Sequence, residues 1–393
     1  MYDFISEAKD IFDYTRTLRR DFHHHPELGF QELRTSEIVA RELKALGMEV
    51  ATGVGKTGVV AVLEGGRPGP VALLRFDMDA LPIQEETGAE YASVNPGVMH
   101  ACGHDGHIAI GLSVARILHT YQANLAGTVK FIFQPAEEGL GGAEAMIAEG
   151  ALENPKADFC LALHLWNERP YGWLGISPGP VMTAGELFKI RVTGKGGHGA
   201  LPHLAKDPVL AAATIVTTIQ SVASRNVSPL QSAVVSVTAI HGGETFNVIP
   251  PRIEMQGTIR TFEPEVRSRV TERFQEILAG VAQAMDCQVE VEITSLTPPV
   301  INERRITTEV QQIAGQLFPK FNMDKDFRTM VSEDMAFVME EVPGCFFFVG
   351  SANSEKGLDA PHHHPKFDIE EGALEAATAF MSAATANLLV GGR

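Results

Sequence analysis

Cysteine is scarce: Cys102, Cys160, Cys287 and Cys345 are the only four in 393 residues, too scattered for a disulfide framework. Reduced thiols are expected, and with no Cys-x-x-Cys pair a closed zinc-finger-like site is excluded. Basic charge is also short, 32 Lys and Arg against 49 Asp and Glu, and the resulting −17 excludes the basic footprint that nucleic acid requires. An anionic substrate would have to be drawn locally, by metal, Arg or His. Apolar runs such as Val209–Ala213 fall far below membrane-spanning length, and the acidic start Met1–Glu7 has no apolar signal core. A cytoplasmic protein without membrane attachment is expected. The Gly-rich run Gly194–Gly199 lacks the Gly-Lys-Ser/Thr ending of a phosphate loop. Internal repeats and low-complexity segments are missing too.

What remains is an ordinary globular composition, 45% hydrophobic and 21% charged, in a chain long enough for about two or three domains. The 3.6-residue period predicts one helix over Phe4–Phe22 and a second over Leu33–Leu46, stopped by Gly47. Val59–Leu63 and Val71–Phe76, joined by a Gly/Pro-rich turn, read as a hairpin or neighbouring strand pair. Helix His107–Leu118, strand Val129–Phe133, helix Ala143–Ala148 and strand Phe159–Leu165 then alternate, the mark of an α/β sheet with ligands at its strand ends. Asp77 and Asp79, Glu137 and Glu138, and His164 all fall at such ends. From Leu187 the order becomes β-α-β-β-α-β, the split βαβ of ferredoxin-like domains, and reads as an insertion. The tail returns to a mixed pattern with a helix near Thr307–Leu317, an apolar strand Cys345–Val349 and a last helix Glu370–Leu389.

Chemistry concentrates in Met99–His107, where a thiol, three imidazoles and a carboxylate occupy nine residues. Gly103 lets the backbone turn so that Cys102 and His104 reach one cation. Glu137 and Glu138 alone would read as a solvated pair; beside a metal, one can ligate while the other takes a proton from water. Asp79 suits accepting a hydrogen bond from a ligating imidazole, whereas Asp77 divides evenly between that neighbourhood and a turn cap. His164, in an apolar strand, is a satisfied core histidine or a ligand. One of His362, His363 and His364 is expected to ligate, and spacing does not choose among them. His23–His25 reads as structural. His198 sits in the Gly-rich loop, either at a bland loop tip or presented to a site. Asn247 and Arg260 are polar residues beside strands, and Arg260 suits bidentate pairing with a carboxylate.

Taken in order, Asp77–Pro82, Met99–His107, Gln134–Gly139, His164, Gly197–Pro202, Asn247–Pro250 and His363–Phe367 resemble the metal-dependent aminoacylase/carboxypeptidase family. Within it, they are similar to the branch of hippurate hydrolases, N-acyl-amino-acid amidohydrolases and plant auxin-conjugate hydrolases. The resemblance runs from His25-Pro26-Glu27-Leu28-Gly29 to the final helix. It implies an α/β, mixed-sheet di-metal aminopeptidase-like catalytic domain, in two parts over 1–184 and 297–393, with a ferredoxin-like lid/dimerisation domain over 185–296. It also implies two divalent metals per chain, with Cys102 bridging them, His104 and His164 completing one site and Glu138 and His363 the other. In the wider family the bridge is usually Asp, and a His stands where this chain has Asp77. Glu137 would be the general base, Asp79 would assist the site, His198 would reach a partner's active site in a homodimer, and Asn247 and Arg260 would contact substrate. A soft thiolate bridge favours zinc, with manganese, cobalt or nickel as alternatives. The implied reaction is hydrolysis of an N-acyl or N-aroyl amino acid. A metallocarboxypeptidase acting on short peptides, an N-acetyl-diaminopimelate-type deacetylase and a non-catalytic binding protein are the competing readings.

Overall fold

The computed structural model describes residues 3–391. Up to Gly175 the chain forms α1 (Phe4–Asp10), α2 (Phe12–His24), α3 (Leu33–Ala45), β1 (Glu49–Val54), β2 (Gly58–Glu64), β3 (Arg67–Asp77), α4 (His104–Thr120), β4 (Ala126–Gln134), α5 (Gly142–Ala148), β5 (Phe159–Pro170) and β6 (Trp173–Gly175). There follow β7 (Gly179–Met182), β8 (Ala184–Thr193), β9 (Gly197–His198), α6 (Pro208–Thr218), α7 (Gln220–Asn226), β10 (Ala233–His241), β11 (Val248–Ile249), β12 (Arg252–Thr261), α8 (Pro264–Ala284) and β13 (Gln288–Thr297). The chain ends with β14 (Val300–Asn302), α9 (Arg304–Leu317), β15 (Asn322–Asp324), α10 (Met335–Glu341), β16 (Gly344–Ala352) and α11 (Gly372–Gly391).

Two compact units result. One takes the chain to Gly179, Ile301–Phe327 and the chain from Asp334; the other takes Pro180–Val300 and Arg328–Glu333. The unit limits thus lie a few residues outside the expected 185 and 296. Six residues of the returning chain also belong to the second unit, because Thr183 N–H donates to Val331 O and Thr329 N–H to Val181 O, both at 3.0 Å.

The first unit is built on an eight-stranded mixed sheet in the order β1-β2-β4-β3-β5-β16-β6-β15. The hairpin expected from the Gly/Pro-rich turn is not there. β4 lies between β2 and β3, antiparallel to the first and parallel to the second. The turn after β2 bonds to the start of β4 instead, Gly65 N–H donating to Gly127 O. That leaves β3, whose second half is buried throughout, with a parallel neighbour on each side, as such apolar strands prefer. The single helix expected over Phe4–Phe22 is two, broken at Ile11, where φ −101° and ψ 10° leave the helical region.

The last helix is another departure. Gly372–Val390 is long and apolar enough to cross a bilayer by length and composition, although no run of that kind was expected. Glu375 and scattered Ser and Thr interrupt the run without making the helix polar. Leu374, Ala377, Phe380 and Ala384 are wholly buried in the core of the unit, so in this fold it is a core helix.

In the second unit β10-β12-β8-β13 form an antiparallel sheet backed by α6, α7 and α8. The chain order β8-α6/α7-β10-β12-α8-β13 is the β-α-β-β-α-β pattern read from the sequence. Alternation explains it: along β12 every second residue is buried, and Ile253, Met255 and Ile259 join Phe188, Ile190 and Phe274 in a separate core.

Candidate metal centre

The site assembles where strands of the first unit end and α4 begins. β3 delivers Asp77, β4 leads through Gln134 and Pro135 to Glu137 and Glu138, and β5 carries His164. β5 does not stop at His164, as expected, but runs on to Pro170 because β16 continues to pair with it. Gly103, at φ 93°, is the left-handed N-cap of α4, so the chain turns between Cys102 and His104 where the sequence placed a free backbone. Ala136 (φ 54°) and His363 (φ 63°) adopt the same left-handed region without being glycine, which costs about 1–3 kcal/mol each and persists only where the surroundings enforce it.

These turns bring the candidate donors together. Ligand atoms of Cys102, His104 and His164 lie within 4.8 Å of one another, and so do those of Cys102, Glu138 and His363. Cys102 belongs to both sets. His104, Glu137 and Glu138 form a further set on the same criterion. Cys102 Sγ is 3.5 Å from His164 Nε2, and His363 Nε2 is 3.1 Å from Glu138 Oε1. The cluster is buried at Cys102, His104 and His164 and open to solvent at His363. Of the three C-terminal histidines, His363 faces the donors; His362 Nε2 donates to Leu165 O at 3.0 Å.

Whether cations fit can be tested on the imidazoles. His104 Nδ1 donates to Asp79 O (2.9 Å) and His164 Nδ1 to Leu165 O (2.7 Å), so both rings turn Nε2 toward the cluster, where it offers a lone pair once the ring is neutral. His104 Nε2 is buried without a hydrogen-bond partner among the described residues, Asp77 Oδ1 lying 3.8 Å away. Burial, and then the Glu138, Glu137 and Asp77 carboxylates, push the Cys102 thiol well above the usual thiol range. Burial opposes a charge on His104, yet Asp77, Asp79 and Glu138 outweigh it and raise the imidazole to about 10. His164 is held well below its usual range by burial, then by His107 and His362, and stays a neutral donor. An anionic field around aimed lone pairs and a buried thiol is the environment a soft divalent cation satisfies.

Supporting groups differ in part from those expected. Asp79 receives the His104 hydrogen bond mainly on its backbone oxygen, its Oδ1 being 3.3 Å from the same nitrogen. Its Oδ2 instead accepts from Glu138 N–H at 3.0 Å. Asp77 is no turn cap: Oδ1 binds His107 Nδ1 at 2.5 Å and Oδ2 binds Arg75. Burial alone would raise its pKa, but His104, His107 and Arg75 hold it well below the carboxylate range. His107 Nε2 accepts from Leu165 N–H at 3.0 Å, so the ring is occupied at both nitrogens and braces the strand that carries His164. Sequence reading left His107 without a role. The signal was its position three residues after His104, on the same face of α4. His23 is structural, buried between Asp105 (2.8 Å) and Glu85 (3.2 Å).

The remaining candidates lie in the second unit. His198 is exposed on β9, opposite Val248, with Nδ1 accepting from Ala200 N–H at 3.1 Å, which leaves Nε2 the protonated nitrogen. Asn247 is next to it, its carbonyl accepting from Gly199 N–H at 2.8 Å. Arg260 lies on β12, half-buried, donating to Ser332 Oγ at 2.5 Å; burial lowers its pKa. An open groove of about 320 Å³ on the face of this sheet, lined by Lys189, Arg191, Glu254 and Glu290, contains none of the donors above.

Comparison with known proteins agrees with this geometry. The model of peptidase family M20/M25/M40 matches residues 73–387. An N-acetyl-L-cysteine deacetylase of Bacillus subtilis is 39% identical over 95% of this chain and 87% of its own length. Thermostable carboxypeptidase 1 of Saccharolobus solfataricus is 37% identical over 94% of each chain. Among solved structures, the Bacillus subtilis YXEP protein, described as a dinuclear metal-binding peptidase of the M20 family, superposes with a TM-score of 0.85 at 34% identity, covering 97% of this chain and 99% of its own.

Proposed function

The chain belongs to peptidase family M20/M25/M40 and is a hydrolase of C–N bonds, and from that premise we propose that it cleaves N-acyl or N-aroyl amino acids, hippurate-like compounds among them, to a carboxylate and a free amino acid. The observation that carries the proposal is the pair of donor sets sharing Cys102 beside Glu137. Cys102, His104 and His164 would hold one divalent cation and Cys102, Glu138 and His363 the other, zinc before manganese, cobalt or nickel. Such cations supply Lewis acidity to the scissile carbonyl and make water acidic enough to lose a proton near neutral pH.

The protein's own groups do the rest. Glu137 accepts the proton of the attacking water and returns it to the leaving amine nitrogen. Asp79 fixes the Glu138 amide and the His104 ring. Arg260, whose guanidinium meets only the Ser332 hydroxyl among the described residues, is suited to the carboxylate of the amino-acid product half, with Asn247 as a second contact. The deacetylase relative supports an N-blocked substrate, and the four free, buried thiols suit a reducing cytoplasm.

The substrate class is tested by kcat/KM of the metal-loaded protein on benzoyl-, acetyl- and long-acyl-amino acids beside dipeptides with free amino termini. N-blocked substrates are expected to win by about 100-fold, the acyl side of the site rejecting an ammonium group that is costly to desolvate. Dipeptides are the outcome a carboxypeptidase would give, as the Saccharolobus relative is named, and would overturn the proposal.

We further propose that the protein works as a homodimer in which His198 donates from Nε2 to the carbonyl oxygen of substrate held by the other copy. Mixing His198→Ala and Glu137→Gln chains is expected to recover up to about a quarter of wild-type activity, since random pairing gives half mixed dimers with one intact site each. Confirmed mixed dimers without activity would place His198 in its own chain's site.

A further inference from the structure

Glu32 stands at the N-cap of α3, where a carboxylate ordinarily accepts from the first-turn amides. It makes no such bond here; Glu27 takes that place, accepting from Arg34 N–H at 3.0 Å and Thr35 N–H at 2.8 Å. Glu32 is wholly buried, and its carboxylate turns away from its own helix. Oε1 accepts from Ala136 N–H at 2.9 Å, and Oε2 accepts from the Thr57 hydroxyl at 2.5 Å. Burial raises its pKa, the Thr57 bond opposing. A carboxylate in such a place is costly, and among the described residues neither capping nor a charge partner accounts for it.

What it holds is the residue before Glu137. Ala136 is in the left-handed region at φ 54°, a conformation alanine resists. The segment that carries Glu32 also encloses Ala136 from behind: a Cβ at Gly29 would meet Ala136 Cα at 3.0 Å and Leu140 Cδ1 at 2.8 Å. The same segment reaches the Asp79 loop, Ala80 N–H donating to Glu27 O at 2.8 Å. Beyond Glu137, Asp79 Oδ2 anchors the Glu138 amide. Glu137 therefore lies between two backbone amides, each fastened by a buried carboxylate.

We propose that Glu32 is a positioning residue: by holding the Ala136 amide it locks the left-handed turn that aims the Glu137 carboxylate. This gives the His25–Phe30 run, which no catalytic role absorbs, a function as the brace behind the base. The inference rests on the reading of Glu137 as general base. The turn between Pro135 and Glu138 is then held from outside as well as locally, where Ala136 O accepts from Gly142 N–H at 3.1 Å.

The test compares Glu32→Ala, Glu32→Gln and Glu137→Gln in kcat, KM, metal content and amide exchange over residues 134–140. Glu32→Ala is expected to lose about 10- to 100-fold in kcat, the range a small misplacement of a catalytic group produces. KM and metal content stay near wild type, the acid limb of the kcat/KM profile shifts, and exchange at Ala136 accelerates in the metal-free protein. Glu32→Gln keeps a neutral acceptor for the Ala136 amide and restores kcat to within about threefold. Should Glu32→Ala fail to fold, Thr57→Val, which removes only the hydroxyl that fixes Glu32, carries the same expectation in milder form. Wild-type kcat in folded Glu32→Ala or Thr57→Val, with Glu137→Gln inactive, overturns the positioning role alone. An active Glu137→Gln overturns the base assignment on which it stands.

Discussion

Glu137→Gln is expected to lower kcat by about 10² to 10⁴, the contribution typical of a positioned proton acceptor, or ~3–5 kcal/mol of transition-state stabilisation. The amide keeps the size of the side chain and its place between the Ala136 and Glu138 amides, so substrate affinity and metal content should stay near wild type. It removes the ability to take a proton. Glu137 is adjacent in the chain to a candidate ligand, yet that neighbour points to other partners, Glu138 Oε1 lying 3.1 Å from His363 Nε2 in the set with Cys102. Steady-state kinetics with metal content by elemental analysis checks the prediction, and turnover within about tenfold of wild type would remove Glu137 as the base.

Cys102→Ala is expected to act on metal first. Every other donor serves one of the two sets, whereas Cys102 serves both, so its loss leaves His104 with His164 and Glu138 with His363. Affinity should fall by more than about 100-fold, beyond what loss of a supporting group costs, and activity should vanish at ordinary metal concentrations. The metal-free protein should lose little stability: removing one small buried sulfur costs about 1 kcal/mol. Added zinc stabilises the wild type by mass action, about 4 kcal/mol at a thousandfold excess over Kd, and this gain should be missing in the variant. Because the thiol is held protonated in the metal-free cluster, metal uptake by the wild type should also release a proton that the variant does not release. Thermal melts with and without metal, and calorimetry in buffers of different ionisation enthalpy, check both.

The candidate donors stood out because chemistry-bearing residues crowd into short, ungainly runs. Cys102-Gly103-His104 announces a turn with two candidate ligands, and Gly103, read as a free backbone, adopts the left-handed conformation. The inserted unit was legible from the order of its elements. Its edges were less so, because Arg328–Glu333 joins it through hydrogen bonds to Val181 and Thr183 that no local pattern encodes. The false hairpin has the same origin. A Gly/Pro turn marks where the chain reverses, while a strand arriving from residue 126 decides what pairs with β2. Supporting groups were hidden for a related reason: His107 and Glu32 act through bonds spanning 25 to 104 residues, and each looks ordinary in its own neighbourhood.

The most direct measurement is anomalous diffraction at the metal absorption edge from crystals of metal-loaded protein. Two peaks per chain are expected, both within bonding distance of Cys102 Sγ, one completed by His104 and His164 and the other by Glu138 and His363. A single peak, or a pair in which Cys102 touches one or neither, would contradict the shared-thiolate centre from which the proposed chemistry follows.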